Sequence, residues 1–321
     1  MPELRVDPLT GLRSIVAGGR LERPGGGFAV APPQVLDPEQ DPFLEGHEDR
    51  TPPELDAVRP GGGGADTPGW SVRVVPNLYP AICPGEAPPR HPNPDLFYAT
   101  AATGAHEVIV NSPRPVTSLT DLSVEELETA MGMWRTRMRA HAGMAYVHLI
   151  VNEGREAGAS LAHTHAQLYA LEFVPASVAR ERERFGAYAT RTMGGNLLAD
   201  VLQEEVRLRD RVVAVGDEAV ILAPFASRVP FQLMVVPRTP APRFEDDGPL
   251  ATHALHDALQ RLARRFGTPP PLNLWVRTAP AGAWRIDVLP RLTHLAGLEL
   301  GTGVHLNVVP PEQAAAELRA A

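Results

Sequence analysis

The stretch Tyr146–Leu171, YVHLIVNEGREAGASLAHTHAQLYAL, decides how the chain is read. Tyr146–Val151 is an apolar run of strand length, and Asn152–Ser160 is polar and glycine-containing, so the spacing predicts a strand that leads into a loop. His163–Leu171 alternates and predicts a second strand. Side chains at i, i+2 and i+4 of a strand share a face, which would align His163, His165 and Gln167.

Working outward, Ser71–Val75 (SVRVV) and His106–Val110 (HEVIV) predict strands, with the irregular turn Pro76-Asn77-Leu78-Tyr79-Pro80 after the first. Ser123 and Glu126 have capping-box spacing. Leu127, Met131, Trp134 and Met138 then fall on one helical face. The second half follows the same order. Ala219–Ala223 and Phe231–Val236 predict strands, Leu255, Leu259, Leu262 and Phe266 mark a helix face, and Leu272–Val276 and Trp284–Leu289 predict strands. The fold class expected is α+β, with two tandem halves (1–178 and 179–321), each an antiparallel sheet with packed helices.

Composition narrows the function. The 321 residues carry a net charge of −8 and no long basic run, which argues against a nucleic-acid groove. A small phosphorylated ligand needs only a few local arginines. The single cysteine, Cys83, rules out a disulfide within the chain and a cysteine-rich zinc site. No stretch approaches the roughly 20 apolar residues of a membrane span, and the opening MPELRVDPLTGLRS lacks a signal-peptide core. A soluble, cytoplasmic protein is expected. The 34 prolines and 28 glycines cluster in segments such as Arg59–Gly69 and Pro84–Pro94, which read as surface loops.

The residue types around His165 suit phosphorus chemistry. An imidazole is a competent nucleophile at neutral pH when one ring nitrogen is held by a hydrogen bond and the other is free. Gln167 can hold a phosphate oxygen without titrating, Asn152 and Ser160 supply a polar wall, and Gly158 allows close approach of backbone amides. A lone H-x-H pair on a strand is more often an ordinary, partly buried pair; the spacing of Asn152, Gly158 and Ser160 ahead of it favours the functional reading.

The pattern Asn152-x-Gly154, Gly158-x-Ser160, His163-x-His165-x-Gln167 resembles the active-site segment of the galactose-1-phosphate uridylyltransferase family, the transferase branch of the histidine-triad superfamily. Asp7–Gly11, Ser14–Val16 and Arg20-Leu21-Glu22-Arg23-Pro24 resemble the family's opening, Glu45–Glu54 the region after its first metal ligands, Pro76–Ala81 the segment around its nucleotide base, and Pro290–Gly303 and Pro311–Ala315 its C-terminal end. The resemblance implies a ping-pong nucleotidylyltransferase in which His165, beside His163, attacks the α-phosphorus of a nucleoside diphosphate sugar. A sugar 1-phosphate or phosphate then takes the nucleotide. It implies phosphate contacts from Arg20 and Arg23, and a base or ribose contact from Asn77 with Tyr79 near the base. Gln167 stands where histidine-triad hydrolases carry a third histidine, which implies a transferase. UDP-glucose–hexose-1-phosphate uridylyl transfer, in galactose metabolism, is the leading expectation. An ADP-glucose or dinucleotide phosphorylase and a non-catalytic nucleotide-binding relative are the alternatives. A homodimer is expected by analogy.

The chain departs from its relatives at their metals. Asp41 and Leu44 occupy the positions of a zinc-binding cysteine pair, and Pro115 that of a histidine; of the four ligands only His163 remains. The family zinc is therefore expected to be lost. Histidines of a second, iron site are replaced in Trp284-Arg285-Ile286-Asp287, and no cofactor is expected. Gly301-Thr302-Gly303, before His305, replaces an acid of galactose-handling members and resembles relatives that act on ADP-glucose.

Overall fold

The computed structural model describes residues 1–321 apart from 24–26, 29, 86–91, 94 and 279–281. Pro24 and most of the Pro84–Pro94 segment therefore lie outside the described residues. The chain opens with β1 (Glu3–Val6) and β2 (Arg13–Val16). The first half then runs β3 (Asp56–Val58), β4 (Val72–Pro76), β5 (Gly104–Val110), α1 (Val124–Ala140), β6 (Tyr146–Glu153) and β7 (His165–Leu171). Helices α2 (Ala176–Arg191) and α3 (Leu197–Leu208) follow. The second half runs β8 (Val212–Val215), β9 (Ala219–Leu222), β10 (Leu233–Pro237), α4 (Thr252–Phe266), β11 (Leu272–Arg277) and β12 (Arg285–Pro290), before α5 (Gly297–Thr302), β13 (Val304–Asn307) and α6 (Pro311–Ala320).

The two halves join into one ten-stranded antiparallel sheet, ordered β3-β4-β5-β7-β6-β11-β12-β10-β9-β8. The second half mirrors the first. The register makes the mirror quantitative: Ile150 opposes Trp275 at the central β6–β11 junction, Ile150 opposes Gln167 on β7, and Trp275 opposes Asp287 on β12. Gln167 and Asp287 are thus equivalent positions, and so are His165 and Arg285.

Alternation decides what each face carries. Ala166, Leu168 and Ala170 of β7 and Leu149 and Val151 of β6 join the main core under α1 and α4, whose Leu127, Met131, Trp134, Leu255, Leu259 and Leu262 are buried with them. His165, Gln167 and Tyr169 project from the opposite face. The expected capping box at α1 is present: Glu126 N–H donates to Ser123 Oγ at 3.2 Å, and Ser123 N–H donates to Glu126 Oε2 at 2.8 Å. Among the described residues no helix is long and apolar enough to cross a membrane.

Four features depart from the sequence reading or add to it. Strand β7 starts at His165, two residues later than expected. Thr164 is taken up instead by loop hydrogen bonds, its N–H to Val116 O and its carbonyl to Asn111 N–H, so His163 does not share the strand face with His165. Helices α2 and α3 were not foreseen; they pack Phe185, Leu198 and Leu202 with Leu9 against the second half. The boundary drawn at 178/179 falls in the first turn of α2. Finally, β2 pairs with β13 in parallel, tying the two chain ends together.

Gly154, which ends β6, has φ +81°, and a Cβ there would lie 2.8 Å from Pro271 Cβ. Gly154→Ala is expected to cost at least about 1–3 kcal/mol from the positive-φ backbone alone. Urea unfolding should show a lower midpoint at an unchanged slope; an unchanged midpoint would show that the loop relaxes freely.

Candidate active site

His165 is the first residue of β7, at the edge of a cavity of about 620 Å³. The cavity is lined by β4, β5 and β7 through Val75, Pro76, His106, Val108, His165, Gln167 and Tyr169, and by loop residues that include Phe43, Arg50, Asn77, Tyr79 and Ser160. The His165 Nδ1 lies 2.7 Å from the His163 carbonyl oxygen. A carbonyl can only accept, so Nδ1 carries the hydrogen and Nε2 keeps its lone pair. The ring is 7 % exposed and packs 5.1 Å from the Phe43 ring. Burial holds its pKa below the ordinary histidine value, as does the neighbouring His163; the His163 carbonyl and Asp41 act the opposite way. The imidazole is therefore neutral at pH 7.

His163 does not line this cavity. Its ring is buried between two acceptors, with Nδ1 2.6 Å from Asp41 Oδ2 and Nε2 2.8 Å from Ser112 O. Both ring nitrogens thus face protein acceptors. The second Asp41 oxygen accepts from Phe43 N–H at 3.0 Å. One short loop thus clamps the His163 ring and positions the phenyl ring against His165.

Gln167 is fixed by its oxygen. Oε1 accepts from Tyr169 O–H and from His106 Nε2, each at 3.0 Å. The His106 tautomer follows from its other side: Ala81 N–H donates to Nδ1 at 3.1 Å, so the hydrogen is on Nε2. Burial, opposed by the Gln167 bond, lowers the His106 pKa and keeps this ring neutral. The His106 and Tyr169 rings stack at 4.1 Å. Among the described residues the amide nitrogen of Gln167 has no hydrogen-bond partner.

The other sequence candidates divide. Asn77 and Ser160 line the cavity; Asn77 Oδ1 closes an Asx turn by accepting from Tyr79 N–H at 2.8 Å, and Tyr79 is 85 % exposed at the rim. Asn152 is tied to the second half instead, accepting from Asn273 Nδ2 at 2.8 Å. Gly158 is left-handed, at φ +84° in the loop before the histidines. Arg20 and Arg23 are exposed and outside the cavity lining, where the cation is Arg50. His305 lies on β13, also outside it.

Sequence reasoning passed over Glu153, His106, Tyr169, Phe43 and the Asp41–His163 contact. Tyr169 continues the i, i+2, i+4 series from His165 and was legible on that ground; the others depend on pairing across strands and loops. Glu153 lies behind the histidine segment. Its carboxylate accepts from Ser118 Oγ at 2.8 Å, Leu119 N–H at 2.6 Å and Thr164 Oγ1 at 3.0 Å. Complete burial outweighs these bonds and raises its pKa to about 7. Among the described residues no group of three or more histidine, cysteine or acidic side chains is placed to hold a metal ion.

A mirrored antiparallel sheet thus places an oriented histidine at the head of the strand beside its cavity. A family model described as galactose-1-phosphate uridyl transferase, N-terminal domain, matches residues 1–175, and one described as a domain of unknown function matches 119–320. The chain belongs to the galactose-1-phosphate uridyl transferase family. It is 29 % identical to the ADP-glucose phosphorylase of Arabidopsis thaliana over 99 % of this chain and 92 % of that protein. It is 25 % identical to the galactose-1-phosphate uridylyltransferase of Thermotoga maritima over 99 % and 98 %. The crystal structure of the Arabidopsis ADP-glucose phosphorylase with bound ADP-glucose superposes with a TM-score of 0.82 at 26 % identity, covering 100 % of this chain and 99 % of that one.

Two stability measurements probe the frame. Asp41→Ala leaves the buried His163 ring without its carboxylate and is expected to cost about 3–5 kcal/mol in denaturant unfolding; a loss below about 1 kcal/mol would show that the clamp is dispensable. Glu153 has a folded pKa raised above its ordinary 4.5. The folded state therefore binds the proton more tightly than the unfolded chain, and stability falls as pH rises from about 4.5 to 7. The loss relative to Glu153→Gln should be on the order of 3 kcal/mol over that range. A pH-independent difference between the two proteins would refute it.

Proposed function

We propose that this enzyme transfers a nucleotidyl group through a covalent nucleotidyl-histidine on His165. The observation that carries this is the His165 tautomer: Nδ1–H is spent on the His163 carbonyl at 2.7 Å, and the Nε2 lone pair remains at the 620 Å³ cavity. In the first half-reaction Nε2 attacks the α-phosphorus of a nucleoside diphosphate sugar. A P–N bond forms, the P–O bond to the sugar phosphate breaks, and sugar 1-phosphate leaves with the electron pair. In the second, an acceptor oxygen attacks the same phosphorus and Nε2 recovers its lone pair. The Gln167 amide nitrogen, oriented by His106 and Tyr169, donates to a phosphate oxygen as charge shifts.

ADP-glucose as donor and inorganic phosphate as acceptor are the substrates best supported. The Arabidopsis ADP-glucose phosphorylase matches along nearly its whole length, and the sequence resemblance puts Gly301-Thr302-Gly303 where galactose-handling members carry an acid. The alternative, uridylyl transfer to a hexose 1-phosphate, is supported by the name of the matching family model and by relatives named galactose-1-phosphate uridylyltransferase.

The Asp41–His163–Ser112 arrangement takes over the role of the family zinc on this reading. Both His163 nitrogens already face protein acceptors, and neither Leu44 nor the exposed Pro115 offers a side-chain ligand. The residues do not suit four-coordinate zinc.

Intact mass at neutral pH tests the mechanism, after mixing with ADP-glucose, UDP-glucose and UDP-galactose in turn. ADP-glucose is expected to add one AMP, inorganic phosphate alone to remove it, His165→Ala to abolish it, and Gln167→Ala to slow it about 10²-fold. Because the reactive imidazole is the neutral form and burial lowers its pKa, the rate of adduct formation should fall on acidification with a midpoint below that of an ordinary histidine. A UMP adduct discharged only by a sugar 1-phosphate would establish the uridylyl reading; binding without any adduct would sink both.

A further inference from the structure

The mirror symmetry of the sheet places a second cavity, of about 280 Å³, where the first half has its own. The correspondence is residue by residue. Val108, His165 and Gln167 line the first cavity, and their register equivalents Met234, Arg285 and Asp287 line the second. A guanidinium in place of the nucleophile, and a carboxylate in place of the amide, leave nothing there for nucleotidyl transfer.

Most charges around this cavity are committed. Arg285 is bonded to Glu181 at 2.6 and 3.2 Å and paired with Asp287 Oδ2 at 3.2 Å. Arg277 is paired with Glu181 at 3.4 Å and donates to Tyr146 Oη at 2.9 Å. Both Asp7 oxygens are taken by Leu9 N–H and Thr10 Oγ1. Arg228 is the exception. Its guanidinium lies 5.0 Å over the Trp275 ring and, among the described residues, has neither a carboxylate within ion-pair distance nor a hydrogen-bond acceptor. Burial holds its pKa below the ordinary arginine value; Asp287 and Asp7 act against that, and Arg285 and Arg277 act with it. Such a group is stabilised by an anion brought into the cavity. Arg180 is exposed in the same lining, without an ion-pair partner among the described residues. Asp287 Oδ1 and Gln232 Nε2 have no bond to the described protein, although Asp287 Oδ2 accepts from Trp275 Nε1 at 3.0 Å and Gln232 Oε1 from Arg228 N–H at 2.7 Å. The lining therefore offers an unpaired cation together with an acceptor and a donor of the kind that read hydroxyl groups.

We propose that the second cavity is a binding site for a sugar monophosphate, the phosphate on Arg228 and Arg180 and sugar hydroxyls on Asp287 and Gln232. Less than half the volume of the first cavity, it suits a ligand smaller than a nucleotide sugar. It is a non-catalytic site for the class of compound that the first cavity releases or consumes, and its existence does not depend on which nucleotide reacts at His165.

Calorimetric titration of the full chain with glucose 6-phosphate, and separately with inorganic phosphate, tests the site. One glucose 6-phosphate per chain is expected, indifferent to Gln167→Ala, at least tenfold weaker in Arg228→Gln and about threefold weaker in the rim variant Arg180→Gln. Inorganic phosphate should bind more weakly than the sugar phosphate. A thermal melt of Arg228→Gln shows whether that variant is folded; if it is not, Arg180→Gln decides. No binding, binding lost in Gln167→Ala, or binding unaffected by both arginine variants would overturn the proposal. Phosphate binding as tightly as the sugar phosphate would overturn the assignment of Asp287 and Gln232.

Discussion

The direction of one carbonyl group governs the candidate active site. His163 O takes the Nδ1 hydrogen of His165 at 2.7 Å, and without that acceptor the imidazole has no reason to prefer the tautomer that leaves Nε2 free. A backbone carbonyl at the end of a loop is not rigid by itself. This one is held because the side chain of the same residue is pinned at both ring nitrogens, by Asp41 and by Ser112 O. The following residue, Thr164, is pinned to buried Glu153. The Asp41 turn also carries Phe43, whose ring touches His165 from the side. Orientation, packing and electrostatics at His165 therefore share one origin, in a segment more than a hundred residues earlier in the chain.

The same logic explains how a mirrored sheet supports two unlike cavities. Register fixes which positions face the cavity in each half, and sets His165 and Gln167 equivalent to Arg285 and Asp287. In the first half these positions hold neutral, hydrogen-bonded groups. In the second they hold a charged cluster anchored by Glu181 from α2. Two neutral groups tuned by backbone and tyrosine contacts can serve a reaction that passes through phosphate transfer. A buried guanidinium locked by two carboxylates cannot.

Much of this was legible in the sequence where the signal is local. The α1 capping box, the amphipathic faces of α1 and α4 and the alternation of β5, β6 and β7 lie within single segments, and the structure has them. The starting point of β7 was misread, because alternation in HTHAQLYAL continues through His163 while the last cross-strand pair is Val110 with His165. Helix α2 was missed because its arginine- and glutamate-rich segment advertises little apolar face, whereas α3 carries a legible one in Leu198, Val201 and Leu202 that the reading passed over. Asp41, His106 and Glu153 could not be read as partners of the motif, since each reaches it through tertiary pairing. Arg20 and Arg23 matched a family motif by position, yet both are exposed and stand outside the cavity lining.

A buried histidine–carboxylate contact needs support from its neighbours, and the contact between Asp41 and His163 has it. Removing a carboxylate from water costs several kcal/mol, and attraction repays this only when the remaining polar atoms are also bonded. Asp41 is 7 % and His163 1 % exposed. The free oxygen of Asp41 accepts from Phe43 N–H, its main-chain carbonyl is 2.7 Å from His47 Nδ1, and the second nitrogen of His163 reaches Ser112 O. No polar atom of the pair is orphaned. On the proposed reading, what a metal would do with directional coordination is done here by the Asp41–His163 contact and three supporting hydrogen bonds. The arrangement has no place for Leu44 or Pro115, which are then free to be the apolar residues they are. The orientation of the His165 ring depends on the position of the His163 carbonyl, not on the chemistry that holds His163 there.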